Sequence, residues 1–182
     1  MDPSAACPLI LTALFDAESA RKFQTLRDRH FPARLNIVPA HLTLFHALPG
    51  QAAEAIATDL RDLCRDIPPF AFQVSGLRFL GRGVALAIDA PALVAARARL
   101  AADWRPSLSA QDRQGFAPHV TVQNKVDFKA ARRLHDAMMV DLPEINGAVL
   151  GLRLWRYLNG PWEPVETCPF QADVAEKLPK RS

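Results

Sequence analysis

Residues 41–50 read His41-Leu42-Thr43-Leu44-Phe45-His46-Ala47-Leu48-Pro49-Gly50, and the opening tetrad returns at His119-Val120-Thr121-Val122. Polar and apolar residues alternate in both copies, the signature of a strand with one buried face. Residues two apart on a strand project together, so His41 pairs with Thr43 and His119 with Thr121, while Leu42, Leu44, Val120 and Val122 fill the opposite face. Pro49-Gly50 closes the first copy.

Outward from His41, a loop holding Pro32 and Pro39 leads back to a helical stretch from 17 to about 29, with Asp16 at its N-cap, and then to an apolar strand at 9–15. Downstream come a helix over 51–65, a Pro68-Pro69 break and a long strand over 70–80. The order then repeats: strand 84–89, helix 92–104, a loop rich in Pro, Ser and Gly, the motif strand 118–124, helix 128–140 and strand 148–157. Asn159-Gly160 reads as a hairpin turn into a last strand around 163–168. Two copies of about eighty residues are too few for a stacked array. The expected fold is therefore α+β: two pseudo-symmetric lobes with mostly antiparallel sheets lining a central cleft and helices outside. One domain is expected over residues 1–174, with repeat halves at 8–81 and 82–158, a closing hairpin at 148–170 and a flexible tail at 175–182.

Composition agrees with a core-driven globular chain: 182 residues, 49% hydrophobic and 23% charged. The net charge of +3 lends weak support to a phosphate-bearing partner. Cys7, Cys64 and Cys168 are odd in number and widely spaced, which argues against a disulfide framework or zinc cluster and for a reducing cytoplasm. The apolar run from Pro8 to Phe15 is far shorter than the ~20 residues that cross a bilayer and has no basic residues before it, so no membrane association is expected. Nothing resembles a phosphate-cradling glycine loop, a GxSxG elbow or HExxH.

The two motif histidines carry the chemistry. An imidazole with a pKa near ~6.5 can serve as a neutral base while a second one, beside a phosphate, serves as the protonated acid. Placed on opposite sides of one phosphorus, they suit in-line displacement without a metal or cofactor. The threonine hydroxyls can donate to nonbridging oxygens and stabilise the charge that builds there. No carboxylate or Cys sits at ligand spacing beside either motif, so no metal site is expected.

On these residues the chain resembles the two-histidine phosphoesterase superfamily, the group that includes bacterial 2′-5′ RNA ligases and cyclic phosphodiesterases. The resemblance spans about residues 8–170. It rests on the paired HLTL and HVTV, the Phe116-Ala117-Pro118 lead-in, the Pro49-Gly50 turn and the closing long strand with its aromatic-bearing turn. It implies catalytic histidines at His41 and His119, phosphate-binding threonines at Thr43 and Thr121, and a substrate that is RNA or a small 2′,3′-cyclic nucleotide. Ligase-type relatives often carry an arginine soon after the second motif; here the run is Gln123-Asn124-Lys125. Lys125 shares the face of His119 if the strand continues, and is expected to supply that charge to the substrate.

Further expectations follow from alternation. Phe45 follows Thr43 onto the cleft side as a candidate for stacking a base, and Trp155 and Tyr157 invite the same role. His46, an odd number of residues from His41, projects to the other face with a structural role. Arg34, Arg82 and Arg113 fall in loops and read as solvated. A monomer is expected. The alternative function is a noncatalytic RNA or nucleotide binding module using the same cleft.

Overall fold

The computed structural model describes residues 7–172, so the tail at 175–182 lies outside the described residues. The elements alternate as expected: β1 (Leu9–Phe15), α1 (Ala17–His30), β2 (Thr43–Leu48), α2 (Ala53–Arg65) and β3 (Phe70–Phe79), then β4 (Val84–Asp89), α3 (Pro91–Asp103), β5 (His119–Gln123), α4 (Phe128–Val140) and β6 (Asn146–Tyr157), closed by β7 (Trp162–Pro169). Local chemistry sets the boundaries. Asp16 caps α1 by accepting from the Ser19 amide at 2.9 Å, Asp127 caps α4 by accepting from Ala130 at 2.9 Å, and Pro91 opens α3, where no amide partner is needed.

All strand pairs are antiparallel, in the order β2-β1-β6-β3-β4-β5, with β7 on β6. The two repeats exchange their third strands: β6, which ends the second copy, pairs with β1, and β3, which ends the first, pairs with β4. Each half of the sheet is thus a motif strand, the first strand of its own repeat and the long strand of the other. The halves meet where β3 pairs with β6. One face is apolar throughout, with Leu9, Leu11, Leu42, Leu44, Leu86 and Val120 each at most 1% exposed. A cluster of Phe15, Phe23 and Phe72, with ring centroids 4.8–5.8 Å apart, joins β1, α1 and β3.

The motif strands β2 and β5 stand at the two ends of this path, where unpaired edges would normally invite further pairing. Each edge is covered by the opposite repeat. Arg27 of α1 donates through Nη1 to the Thr121 carbonyl of β5 at 2.9 Å and through Nε to Asn36 Oδ1 at 2.8 Å, in the loop leading to His41. Arg97 of α3 donates through Nε to the Leu44 carbonyl of β2 at 3.5 Å and through Nη2 to the Asp112 carbonyl, with its guanidinium 4.7 Å over the Phe45 ring. Both arginines are buried, at 4% and 9% exposure, which their sequence setting on amphipathic helices does not suggest. One guanidinium therefore ties the approach to the first motif to the backbone of the second. Arg27→Met, which keeps the length and removes the donors, is expected to lower stability by about 1–2 kcal/mol, read as an earlier denaturant midpoint at unchanged slope.

Candidate active site

His41 lies just before β2 and His119 opens β5, and each ring is fixed in the same way. His41 Nδ1–H donates to the Pro39 carbonyl at 2.7 Å, and His119 Nδ1–H to the Ala117 carbonyl at 2.9 Å, in both cases the residue two places back. The shared tether leaves Nε2 of each ring without a hydrogen-bond partner among the described residues. Arg78 Nη1 donates to the same Ala117 oxygen at 3.0 Å and stands 2.8 Å from His119 Nδ1. One nitrogen cannot both donate to Ala117 and accept from Arg78; the matching tether of His41 favours donation, and Arg78 then acts on His119 through its charge.

Burial pushes the His41 imidazole down to about 4, partly opposed by the Pro39 carbonyl, with the charges of Arg27, His46 and His119 adding to the fall. His119 is lowered as well, first by burial and then by Arg78 and His46, against the Ala117 carbonyl. The two rings are close enough for the charge of one to bear on the other. Both are neutral near pH 7 in the free protein, and a bound anion is what would put a proton on either Nε2. Thr43 and Thr121 are half-buried, and among the described residues neither hydroxyl has a hydrogen-bond partner.

Each motif threonine is followed by a β-bulge. Leu11 faces Phe45 while its neighbour Thr12 faces Thr43, so Leu44 is the extra residue; Val84 faces Gln123 while Ala85 faces Thr121, so Val122 is the extra one. An added residue inverts the alternation beyond it. This corrects two expectations. Phe45 is not on the cleft side: it is 0% exposed, facing Trp104 at 5.3 Å under the Arg97 guanidinium, with no face left for a base. His46 is turned the opposite way from the expectation and is exposed on the side of His41 and Thr43.

Lys125 is corrected too. β5 ends at Gln123, and Lys125 sits in the following turn at φ 60°, exposed, with its amide on Asn124 Oδ1 at 2.7 Å. The strand continuation that would have aligned it with His119 does not occur. The positive charge near the motifs comes instead from Arg78 and Arg153, which the sequence reading missed. They hold equivalent places: Arg78 on β3 pairs with Ala85, which pairs with Thr121, and Arg153 on β6 pairs with Thr12, which pairs with Thr43. The signal was present as a second duplicated tetrad, Gly76-Leu77-Arg78-Phe79 and Gly151-Leu152-Arg153-Leu154.

A cavity of about 740 Å³ opens beside His41, lined among others by Thr12, Arg21, Arg153, Trp155 and Trp162. The β6–β7 hairpin brings Trp162 to 4.6 Å from the His41 ring and 6.0 Å from Trp155. Trp155 is held by its indole N–H donating to Thr12 Oγ1 at 2.9 Å, under the Arg153 guanidinium at 5.8 Å. Trp155 thus lines the cavity, whereas Tyr157 does not. Arg34, Arg82 and Arg113 are exposed. Among the described residues no group of three or more His, Cys, Asp or Glu could hold a metal ion, and no helix is long and apolar enough to cross a membrane.

The model of the 2′-5′ RNA ligase superfamily matches residues 15–161. Solved structures with the same fold include TT0787 of Thermus thermophilus, 17% identical with a TM-score of 0.66 over 91% of this chain and 99% of that one. E. coli LigT complexed with 3′-AMP is 20% identical with a TM-score of 0.63, again over 91% and 99% of the two chains. A structure described as a phosphoesterase is 20% identical with a TM-score of 0.62, over 92% and 99%. No curated protein sequence matches the chain.

Proposed function

Because this chain belongs to the 2′-5′ RNA ligase superfamily, we propose that it is a metal-independent phosphodiesterase that opens, or in reverse forms, a phosphodiester at a ribose 2′-oxygen on RNA ends or small 2′,3′-cyclic nucleotides. The observation that carries the reading is the matched tether of two imidazoles, each with Nδ1 given to the carbonyl two residues back and Nε2 free. A binding module has no need of two titrating groups set in the same tautomer.

In hydrolysis of a 2′,3′-cyclic phosphate, His41 Nε2 takes a proton from water as the water oxygen bonds to phosphorus. His119, protonated at Nε2 once the phosphate is bound, gives its proton to the departing ribose oxygen as that P–O bond breaks. His41 takes the base role because burial holds it furthest toward the neutral form. The free hydroxyls of Thr43 and Thr121 donate to the two nonbridging oxygens. Arg153 reaches a substrate phosphate from the cavity side, and Trp155 and Trp162 offer aromatic faces to a base. The reading goes with a monomer in a reducing cytoplasm, in keeping with the free thiols of Cys7, Cys64 and Cys168.

The test is turnover of nucleoside 2′,3′-cyclic phosphates and of short RNAs ending in one, with EDTA present throughout. Product is expected in every case, with EDTA without effect. Saturable, salt-sensitive binding with no product would sink the catalytic reading and leave the noncatalytic module. In the same assay Arg153→Ala is expected to raise KM about ten-fold with little change in kcat, the pattern of a lost charge-assisted contact made equally in ground and transition states.

A further inference from the structure

Beyond the two motif histidines, β2 carries a third imidazole whose surroundings are specific. After the bulge at Leu44 the register slips again between Phe45 and Leu48, and the amides of His46 and Ala47 both turn to the Asp112 carboxylate, at 2.8 and 3.0 Å. Asp112 Oδ1 also accepts from His46 Nδ1 at 3.2 Å, and Oδ2 from Ser109 Oγ at 3.0 Å. The carboxylate is wholly buried while the His46 side chain is 45% exposed. With Nδ1–H committed to Asp112, the exposed nitrogen is Nε2. Asp112 lies in the loop that runs into His119, so the ring stands where the two repeats meet. Its charge bears on both His41 and His119.

His46 follows Thr43 by three residues, a span of ~10 Å on an extended strand and somewhat less across a bulge. The bulge at Leu44 turns the exposed ring to the side of Thr43, so His46 meets a bound substrate further along the strand than the motif hydroxyl does. Resting on the function proposed above, we propose that His46 and Asp112 form a second-phosphate subsite, in which His46 Nε2 donates to a phosphate of the substrate other than the reacting one. The occupant is a nucleotide carrying at least two phosphates, such as an RNA end with its neighbouring phosphodiester. The ring would then bridge the Asp112 carboxylate and the substrate phosphate, with one N–H to each.

The test compares two substrates across wild type, His46→Ala and His46→Gln: a nucleoside 2′,3′-cyclic phosphate, and the same compound bearing a 5′-phosphate. His46→Ala removes no backbone donor to Asp112, and thermal melts check that both variants are folded. The expected result is a loss in kcat/KM from His46→Ala about ten-fold greater on the two-phosphate substrate than on the single-phosphate one, carried by KM, with His46→Gln intermediate. Equal losses on both substrates, or none on either, would overturn the subsite. Should wild type turn over neither compound, a nucleoside 3′,5′-bisphosphate and the corresponding 3′-monophosphate replace them in calorimetric titrations. Tighter binding of the bisphosphate that disappears in His46→Ala would keep the subsite while the catalytic reading falls; no preference for the bisphosphate would remove the subsite as well.

Discussion

His119→Ala is expected to lower kcat on a nucleoside 2′,3′-cyclic phosphate by about 10³–10⁴-fold, and His41→Ala by about 10²–10³-fold, both near the range for a general acid or base placed at the reacting atoms. The order follows from the chemistry at the two oxygens. A ribose alkoxide is a poor leaving group and depends on the acid, whereas water attacking a strained cyclic phosphate depends less on the base. A phosphodiester with an aryl leaving group, which departs without a proton, should therefore restore much of the activity of His119→Ala and little of that of His41→Ala. Equal rescue of both, or full activity in either variant on the cyclic substrate, would undo the assignment. The double variant should lose little more than His119→Ala alone, because in the proposed step the two groups act together and their effects do not add. Neither substitution should unfold the chain, since each ring gives the protein one hydrogen bond, to a loop carbonyl.

What was legible in the sequence is what local pattern encodes. The repeated HLTL and HVTV, the Asp16 cap and the Pro and Gly breaks set the order of elements, and helix α4 falls on the expected residues, 128–140. The exchange of long strands between repeats was not legible, because β1–β6 and β3–β4 pairing depends on which apolar faces meet across the chain. Bulges were hidden for a similar reason. Strict alternation put Phe45 in the cleft and His46 out of it, and a single unpaired residue, Leu44, reversed both. The alignment of Lys125 with His119 did not hold, because Asn124 takes the Lys125 amide where the strand ends. Arg27, Arg97 and Asp112 carry surface letters, yet they are buried to satisfy strand edges and bulged amides. The Gly-Leu-Arg tetrads were open to reading; what they lacked was a register to show that Arg78 and Arg153 stand in the rows of the motif threonines.

The same buried groups predict how stability responds to acid, in two windows. His41 is lowered to about 4 in the folded protein from an ordinary 6.5. Between these values the unfolded chain binds a proton that the folded one refuses, so stability falls as pH drops from 6.5 toward 4. His119, lowered in the same direction, adds to this slope. His41→Gln should accordingly keep more of its neutral-pH stability at about pH 4.5 than wild type does. Asp112 governs the lower window. Burial alone would raise its carboxyl, but hydrogen bonds from the side chain and backbone of His46, from Ala47 and from Ser109 outweigh that and hold it at about 2, against an ordinary 3.8. Its contribution is complete above 3.8 and is lost as pH falls toward 2, a change of about 2 kcal/mol. Asp112→Asn should abolish this second slope. It should also lower stability at neutral pH by about 3 kcal/mol, because the amide nitrogen then faces a donor where a carboxylate oxygen accepted two. Denaturant midpoints across pH 2–7 for the two variants separate the windows: a His41→Gln profile parallel to wild type between 6.5 and 4 would show that this imidazole is as open to water in the folded chain as in the unfolded one, and with that its role as the ready neutral base would lose its physical ground.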